Sequence, residues 1–252
     1  MRLTTVGTGT AAPHAARVQA GHLVESSDAL VLLDCGSGVA FRLAELAIDW
    51  PRITHVVLSH FHADHVIDLA TLLVAWRYGT LPPRAGVLEI LGPPGTQHFV
   101  ETLAAALDVD FRGYGFEIRV REMPFGSTAE LSPATSLESH KVPHTPESVA
   151  YSVRSEGRRL VYTGDTAYDE ELARWAAGCD VLLAECSLPA AMAVPSHLTP
   201  EQVGALAAIA QPSLLALTHL YPPVELVDIS TLVAAHHAGP VVVAFDGWRT
   251  DI

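Results

Sequence analysis

The sequence feature that most constrains the fold of this chain is a group of four potential metal ligands within six residues. The stretch reads His60-Phe61-His62-Ala63-Asp64-His65 and follows the apolar run Ile53–Leu58. That run is short, contains β-branched residues and is preceded by Pro51, which is typical of a buried strand. Imidazole and carboxylate together suit zinc, manganese or iron. A polar turn with coincidental histidines is the alternative, but the spacing favours a metal site at the end of a strand.

Length and composition predict one domain. The chain has 252 residues, of which 49% are hydrophobic, enough to form one large core. No apolar stretch reaches the length of a membrane span, and no signal sequence precedes the first predicted strand. The odd number of scattered cysteines, Cys35, Cys179 and Cys186, indicates reduced thiols. We therefore expect a single cytoplasmic domain over residues 1–252 with no membrane segment.

The charge of the chain argues against a large polyanionic substrate. Fifteen basic residues stand against 28 acidic ones, for a formal net charge of −13. Two bound divalent cations would leave the protein strongly acidic, whereas an RNA-binding surface needs many Lys and Arg contacts to phosphates. The charge favours a small-molecule substrate.

Strands occur both in runs and in alternation with helices, which predicts an α/β fold with two packed sheets and helices outside them, a four-layer αββα sandwich. Strands are predicted at Leu3–Gly9, Ala29–Asp34, Ile53–Leu58, Val87–Leu91, Phe116–Arg121, Ser136–Val142, Ser148–Val153, Arg159–Tyr162, Asp180–Glu185, Leu214–Leu217 and Val241–Ala244. The main helices are predicted at His65–Tyr78, Asp169–Ala177, Pro200–Ala210 and Val224–Ala235, and a further helix follows Gly95 and ends near Leu107.

Three further potential ligands follow predicted strands or lie between them. His144 precedes the strand that reaches Tyr151, Asp165 ends the strand Arg159–Tyr162, and His219 ends another. Taken singly, Asp165 could be a turn residue or a helix N-cap, and each histidine could be an ordinary loop residue. Together they complete the ligand inventory of a two-metal centre.

These motifs, nearly end to end, resemble the metallo-β-lactamase superfamily and, within it, the ribonuclease Z-like phosphodiesterase branch. The stretches that carry the resemblance are Gly7-Thr8-Gly9-Thr10-Ala11-Ala12-Pro13 with Arg17, Leu33-Asp34-Cys35-Gly36-Ser37-Gly38, His60–His65, Gly92-Pro93-Pro94-Gly95, His144, Gly164-Asp165-Thr166, Ser196-His197-Leu198-Thr199 and Leu217-Thr218-His219.

The resemblance implies two divalent cations, for which zinc is expected and manganese or iron remain possible. It assigns His60, His62 and His144 to one metal. It assigns Asp64, His65 and His219 to the other, with Asp165 bridging both. Water activated between the two metals would then attack phosphorus.

The resemblance also implies catalytic roles outside the metal ligands. Glu185 would orient His197, which would protonate the leaving oxygen or hold a phosphoryl oxygen. Asp64 would additionally orient the attacking hydroxide. Thr199 is expected to cap the following helix in either case, and the alternative to the catalytic role is that His197 faces solvent.

Two departures from the ribonuclease Z pattern make tRNA an unlikely substrate. Only 21 positions separate His144 from Asp165, and that span is filled by one predicted hairpin instead of the long tRNA-binding arm. After His219 the chain reads Leu220-Tyr221-Pro222-Pro223, where the branch has a serine and an arginine near the phosphate.

The sequence therefore predicts a dinuclear metal-dependent hydrolase, with small or cyclic phosphodiesters as the favoured substrates. A lactone or carboxylic ester hydrolase with the same metals is the alternative, with Tyr221 or Tyr168 as a carbonyl-polarising residue. A non-catalytic metal-binding scaffold is the alternative of another class. His14 is a candidate for the substrate mouth, the other histidines are expected to be structural, and a homodimer is possible. Trp76, Tyr78 and Phe111 are expected to pack in the core or at the surface.

Overall fold

A computed structural model describes residues 1–82, 84–107 and 115–252; the predicted role of Phe111 lies outside these residues. In chain order the strands are β1 (Arg2–Gly7), β2 (Gly21–Glu25), β3 (Leu30–Leu33), β4 (His55–Val57), β5 (Leu88–Gly92), β6 (Ile118–Glu122), β7 (Thr128–Ser132), β8 (Thr135–Lys141), β9 (Val149–Ser155), β10 (Arg158–Tyr162), β11 (Val181–Glu185), β12 (Leu214–Thr218), β13 (Val241–Val243) and β14 (Arg249–Asp251). The helices are α1 (Val39–Glu45), α2 (Ala63–Val66), α3 (Asp68–Tyr78), α4 (Thr96–Ala106), α5 (Glu170–Trp175), α6 (Pro200–Ala210) and α7 (Ile229–Ala234).

The strands form two mixed sheets. The first has the spatial order β14-β1-β2-β3-β4-β5-β6, and the second the order β13-β12-β11-β10-β9-β8-β7. Strands β3 to β6 are parallel, as are β10 to β13, while the remaining neighbours are antiparallel. Each sheet therefore has a parallel part whose strands end at a common edge.

Alternating side chains explain why the sheets stack and carry helices outside. In β3, Val31 and Leu33 belong to the apolar cluster between the sheets, whereas Leu32 belongs to the cluster under the first sheet's helices. In β11, Leu183 faces the same inter-sheet cluster and Leu182 faces α6 and α7. Both faces of these strands are thus apolar and covered, as expected for parallel strands. The arrangement confirms the predicted four-layer αββα fold.

Helix α6 is delimited by its local sequence. The Thr199 hydroxyl accepts a hydrogen bond from the backbone N–H of Gln202, whose side chain returns to the Thr199 backbone, and Pro200 occupies the first turn. The helix ends at Gln211, which has a left-handed backbone with φ 49°. The predicted capping role of Thr199 is confirmed.

Several boundaries differ from the sequence prediction. The helix predicted from His65 to Tyr78 consists of α2 and α3, and the helix predicted at Val224–Ala235 is a 3₁₀ turn at Pro222–Leu226 followed by α7, which Asp228 caps. Three strands were missed: β2, β7 and β14. Of these, β7 and β14 are edge strands. β7 alternates polar and apolar residues over only five positions and β14 consists of three polar residues, so neither gives a strong hydrophobic signal.

The three cysteines, Cys35, Cys179 and Cys186, are buried and unpaired, as the sequence indicates. The longest helices in the described part of the chain have 11 residues, and none is long and apolar enough to cross a bilayer.

Candidate metal centre

The seven predicted ligands lie together at the carboxyl ends of strands from both sheets. His60 and His62 occupy the turn after β4, and α2 continues that turn with Asp64 and His65. The second sheet contributes His144 between β8 and β9, Asp165 after β10 and His219 after β12. Parallel strands end at a shared edge, so loops distant in sequence converge there.

The first group of potential ligands comprises His60, His62, His144 and Asp165, whose ligand atoms all lie within 4.8 Å of one another. His144 Nε2 is 3.1 Å from His62 Nδ1. Asp165 Oδ2 is 3.8 Å from the Nε2 atoms of both His60 and His144. One carboxylate oxygen and three imidazole nitrogens therefore surround a common point.

The second group comprises Asp64, His65 and His219. His65 Nε2 and His219 Nε2 are 3.3 Å apart, and His219 Nε2 is 3.4 Å from Asp64 Oδ2. The other oxygen of Asp165, Oδ1, lies 3.2 Å from His65 Nε2 and 3.4 Å from His219 Nε2. Each oxygen of Asp165 thus faces a different group.

Orphaned polar atoms show that this cluster fits cations. His60 Nε2 and Asp165 Oδ1 are buried without a hydrogen-bond partner among the described residues, an arrangement that costs free energy unless a ligand completes it. Neutral imidazole and carboxylate are the donor types that zinc, manganese and iron accept. The residues present fit two divalent cations, one per group.

A buried carboxylate supports the His60–His65 turn from behind. Asp34, at the end of β3, accepts hydrogen bonds at Oδ2 from His65 Nδ1 at 2.8 Å, the Ser59 hydroxyl at 2.7 Å and the Tyr162 hydroxyl at 2.8 Å. Its backbone is left-handed, with φ 56°. By fixing Nδ1–H of His65, Asp34 directs Nε2 towards the centre.

Carbonyl and hydroxyl groups contact the histidine ligands of the second sheet. His144 Nδ1 donates to the Ser196 carbonyl at 3.0 Å, and His219 Nδ1 lies 3.0 Å from the Ser187 hydroxyl. Lys141, the only lysine in the chain, donates to the carbonyls of Val142, Thr145 and Ser148 and so holds the loop that carries His144. These contacts leave Nε2 of both histidines to face the centre.

Burial and charge set the protonation of the centre. Burial lowers the pKa of His60 to about 2, which keeps that imidazole neutral and able to bind a cation. Burial acts in the same direction on His65, but Asp165 and Asp34 outweigh it and raise the pKa of His65 well above its usual value. Burial would raise the pKa of Asp165, yet the facing His219 and His65 hold it well below the usual range. The centre therefore attracts positive charge.

The backbone around the centre is tight. A Cβ on Gly36 would lie 1.9 Å from the Asp64 carbonyl oxygen, so only glycine allows this approach of the β3 loop to α2. His219 has a left-handed backbone with φ 56°, which is uncommon for a residue other than glycine and is frequent at functional sites.

Glu185 and His197 form a pair beside the ligands. The fully buried Glu185, the last residue of β11, lies 3.1 and 3.2 Å from His197 Nδ1 through its two oxygens. It also accepts from the backbone N–H groups of Thr166 and Leu198 and from the Ser187 hydroxyl. His197 Nδ1 is 4.0 Å from Asp165 Oδ2, and its side chain is 13% exposed. Burial acts to lower the pKa of His197, but the hydrogen bond and charge of Glu185 outweigh it and raise it.

The structure separates the two candidate tyrosines. The ring of Tyr221 lies edge-on to the rings of His197 and His219, with centroids 6.2 and 6.0 Å away. Tyr168 packs instead against the apolar cluster under α5, α6 and α7. Tyr221 is therefore the tyrosine beside the candidate centre.

The other predicted histidines lie outside the two ligand groups. His14 is 3.1 Å from Glu225, on the 3₁₀ turn that follows Tyr221. His140 stacks on Trp175, and His22 is buried against Tyr162. Trp76 is fully buried in the core, whereas Tyr78 is 73% exposed at the surface.

Sequence reasoning did not assign the supporting roles of Asp34, Ser187 and Ser196. Asp34 ends a strand in a stretch that carries the family resemblance, which is a usable signal for a buried polar role. Ser187 follows Glu185 by two positions, and its hydroxyl joins that carboxylate to His219. Ser196 acts through its backbone carbonyl, so its residue type gives no signal of this role in the sequence.

A sequence model described as the beta-lactamase superfamily domain matches residues 30–220 of the chain. A protein of Mycolicibacterium gilvum named ribonuclease Z is 29% identical over 248 residues, covering 89% of this chain and 86% of that protein.

Two solved structures are similar over nearly their whole length. The metallo-beta-lactamase fold protein YhfI from Bacillus subtilis has a TM-score of 0.85 at 23% identity, covering 99% of this chain and 98% of that chain. Human tRNase Z, short form, has a TM-score of 0.82 at 21% identity, covering 100% of this chain and 99% of that one. At these identities the likeness shows a shared fold.

Proposed function

We propose that this chain, which belongs to the beta-lactamase superfamily and is a ribonuclease Z-like, metal-dependent hydrolase, cleaves small or cyclic phosphodiesters. The reaction would take place at a dinuclear metal centre. The observation that carries the proposal is the Glu185–His197 pair beside Asp165. Phosphodiester hydrolysis needs a nucleophile derived from water and a proton donor for the leaving oxygen. The metal centre would supply the first and His197 the second.

The proposed ligands follow the two groups of side chains. His60, His62 and His144 would hold one cation and Asp64, His65 and His219 the other, with Asp165 bridging them. The division is supported by the way Asp165 Oδ2 faces the first group while Oδ1 faces the second. We propose zinc, with manganese or iron as alternatives for the same donor set. When bound, such a pair of cations generates a nucleophile from water at neutral pH and stabilises charge on the phosphoryl group.

His197 would act as the proton donor to the leaving oxygen or as a hydrogen-bond donor to the phosphoryl group. Because Nδ1–H is held by the Glu185 carboxylate, Nε2 is the nitrogen left to meet a substrate. A buried carboxylate that orients a histidine and stabilises its charged form is a common device in general acid–base catalysis. Asp64 would serve as a metal ligand and also orient the attacking water.

We propose that tRNA is not the substrate, although the relative from M. gilvum is named ribonuclease Z. Strands β9 and β10 are joined directly by a turn at Glu156 and Gly157, since Ser155 already pairs with Arg158. The chain between His144 and Asp165 therefore carries a plain hairpin where an RNA-gripping arm would be needed. The net charge of −13 supports the same conclusion.

Hydrolysis of a lactone or carboxylic ester is the second candidate, and the position of Tyr221 favours it. A phenol beside His197 and His219 could donate a hydrogen bond to a carbonyl oxygen as negative charge develops there. This reaction would use the same ligands but would not require His197 as a proton donor. A non-catalytic scaffold is disfavoured because the ligand set has no gap.

The experiment that tests the proposal compares two substrates on protein of measured metal content. We expect turnover of bis(p-nitrophenyl) phosphate, with little turnover of a homoserine lactone. His197→Ala should leave the metal content unchanged and slow phosphodiester cleavage by about 10²- to 10⁴-fold, the usual contribution of a general acid. His98→Ala, at an exposed position of α4, is the matched control.

Other outcomes would reassign the enzyme. Lactone turnover that falls in Tyr221→Phe and is indifferent to His197→Ala would identify the second candidate. Phosphodiester turnover that is unchanged in His197→Ala would remove this histidine from the mechanism. Metal-loaded protein inactive on both substrates would favour the scaffold.

A further inference from the structure

The loop between Glu185 and His197 exposes an unusual run of apolar residues. Six consecutive residues, Ala190-Ala191-Met192-Ala193-Val194-Pro195, are all exposed, and they form the longest exposed apolar run among the residues that the structure describes. Met192 is 52% exposed and Val194 is 40% exposed. Consecutive exposed apolar residues are unfavourable in water, so they usually mark a contact surface. We call this segment, Ala190–Pro195, the apolar strap.

The residues that flank the apolar strap, Ser187 and Ser196, both contact ligands of the candidate metal centre. On one side, the Ser187 hydroxyl contacts His219 Nδ1 at 3.0 Å. On the other, the Ser196 carbonyl accepts from His144 Nδ1 at 3.0 Å. The strap therefore lies between a contact to the second ligand group and a contact to the first, and His197 follows Ser196.

The base of the loop is closed by backbone contacts. Ser187 N donates to the Leu198 carbonyl at 3.0 Å, and Tyr221 N donates to the Ser187 carbonyl at 3.2 Å. Within the strap, Met192 N donates to the Pro189 carbonyl at 2.8 Å in a single 3₁₀ turn. The strap thus has a defined backbone, and its apolar side chains are left exposed in a loop whose flanking residues contact the site.

The surrounding chain offers no positive charge to a polyanion. The sequence contains no Lys or Arg from position 175 to position 248, a span that supplies Glu185, the strap, His197, His219 and Tyr221. Arg17, which approaches this side of the molecule, is ion-paired with Glu225 at 2.7 Å. This span therefore offers a polyanion no cation, whereas an uncharged substituent can contact the exposed apolar side chains of the strap.

We infer that the apolar strap contacts the uncharged apolar or aromatic substituent of a small phosphodiester whose phosphoryl group lies at the metal centre. The inference rests on the proposed function and narrows its substrate class: one phosphodiester charge, with an apolar or aromatic group such as a nucleobase next to it. Met192 and Val194 are the specificity-determining residues, since theirs are the largest exposed apolar side chains of the strap. Burial of part of such a substituent against them lowers the free energy of the bound state.

The test uses two diesters that differ only in the group that stays on phosphorus. Phenyl p-nitrophenyl phosphate and methyl p-nitrophenyl phosphate both release p-nitrophenolate, so the ratio of their kcat/KM values reports the spectator group alone. The metal-loaded wild type should favour the phenyl ester. Met192→Gln combined with Val194→Thr preserves shape but adds polarity, and should reduce that preference by about 5- to 10-fold, mostly through KM. Leu81→Gln, at a 95% exposed position beyond α3, is the control and should change nothing.

Each other result overturns the inference. Phosphodiester turnover with an unchanged phenyl-to-methyl ratio in the double variant would refute the role of the strap while leaving the proposed function intact. A shift in the sedimentation behaviour of the double variant without a shift in the ratio would assign the strap to contact with a second copy of the chain. Absence of turnover of both esters by metal-loaded wild type would refute the proposed function and this inference with it.

Discussion

The two sheets contribute to the metal centre in different ways. The first sheet supplies four of the seven candidate ligands from one continuous turn, His60–His65, whereas the second supplies His144, Asp165 and His219 from three separate loops. In the first region the group that contacts the ligand His65 from behind is a buried carboxylate, Asp34, whereas in the second region the groups that contact His144 and His219 directly are a carbonyl and a hydroxyl. One half of the centre is thus fixed by local geometry and the other by how the whole sheet folds.

This difference predicts which of the two regions tolerates amino-acid substitution. A residue of the continuous turn cannot shift without moving its neighbours, because α2 begins inside the motif and Gly36 packs against Asp64. The loops of the second sheet are independent of each other in sequence. We therefore expect substitutions in the second region, where His197, Tyr221 and the apolar strap lie, to change substrate selection without disturbing the continuous turn.

The largest effect should come from Asp165, which joins the two regions. We expect Asp165→Ala to lower the bound metal from about two ions per chain to about one or fewer and to slow hydrolysis by at least about 10⁴-fold, because both ligand groups lose an oxygen. Metal analysis after dialysis and a turnover assay would measure this. Asp169→Ala, which removes only the α5 cap, should keep both; full metal content and activity in Asp165→Ala would contradict the bridging assignment.

A smaller effect should follow from Asp34→Asn in the first region. The amide nitrogen would face donors from His65, Ser59 or Tyr162 where a carboxylate oxygen now accepts. We expect metal affinity to fall by about 10- to 100-fold and the free energy of unfolding to fall by about 1–3 kcal/mol. Titration against a chelator and thermal unfolding would detect both changes, and an unchanged affinity would show that His65 needs no buried acceptor.

The smallest effect should follow from Ser187→Ala in the second region. The substitution removes the neutral hydroxyl that contacts His219 Nδ1, and a neutral partner supports a ligand histidine less strongly than the carboxylate of Asp34 does. Glu185 loses one donor but keeps the backbone N–H groups of Thr166 and Leu198. We expect metal affinity to fall by no more than about 10-fold. The same chelator titration would measure it. A loss larger than that of Asp34→Asn would reverse the comparison between charged and neutral support.

The sequence was most informative where local pattern and tertiary role coincide. The continuous apolar runs of β3 and β11 predict strands covered on both faces. The spacing of His60, His62, Asp64 and His65 predicts a cation site, because neighbouring residues on one strand–helix turn lie close together whatever the rest of the chain does. Edge strands β7 and β14 escaped prediction because they are short and contain few apolar residues. The role of Asp34 escaped because one of its partners, Tyr162, is 128 positions away.

The hairpin of β9 and β10 has a consequence for engineering. Its strands pair from Tyr151 and Tyr162, close to the ligands, to Ser155 and Arg158 at the far end, a distance of roughly 14 Å along the strands. The turn residues Glu156 and Gly157 both have positive φ, and Glu156 is half exposed. Extra chain inserted at this tip would lengthen the covalent path from His144 to Asp165 without altering the space between them. The hairpin is therefore an attachment point for a grafted substrate-capturing module, which could redirect the enzyme to larger substrates while its ligands stay in place.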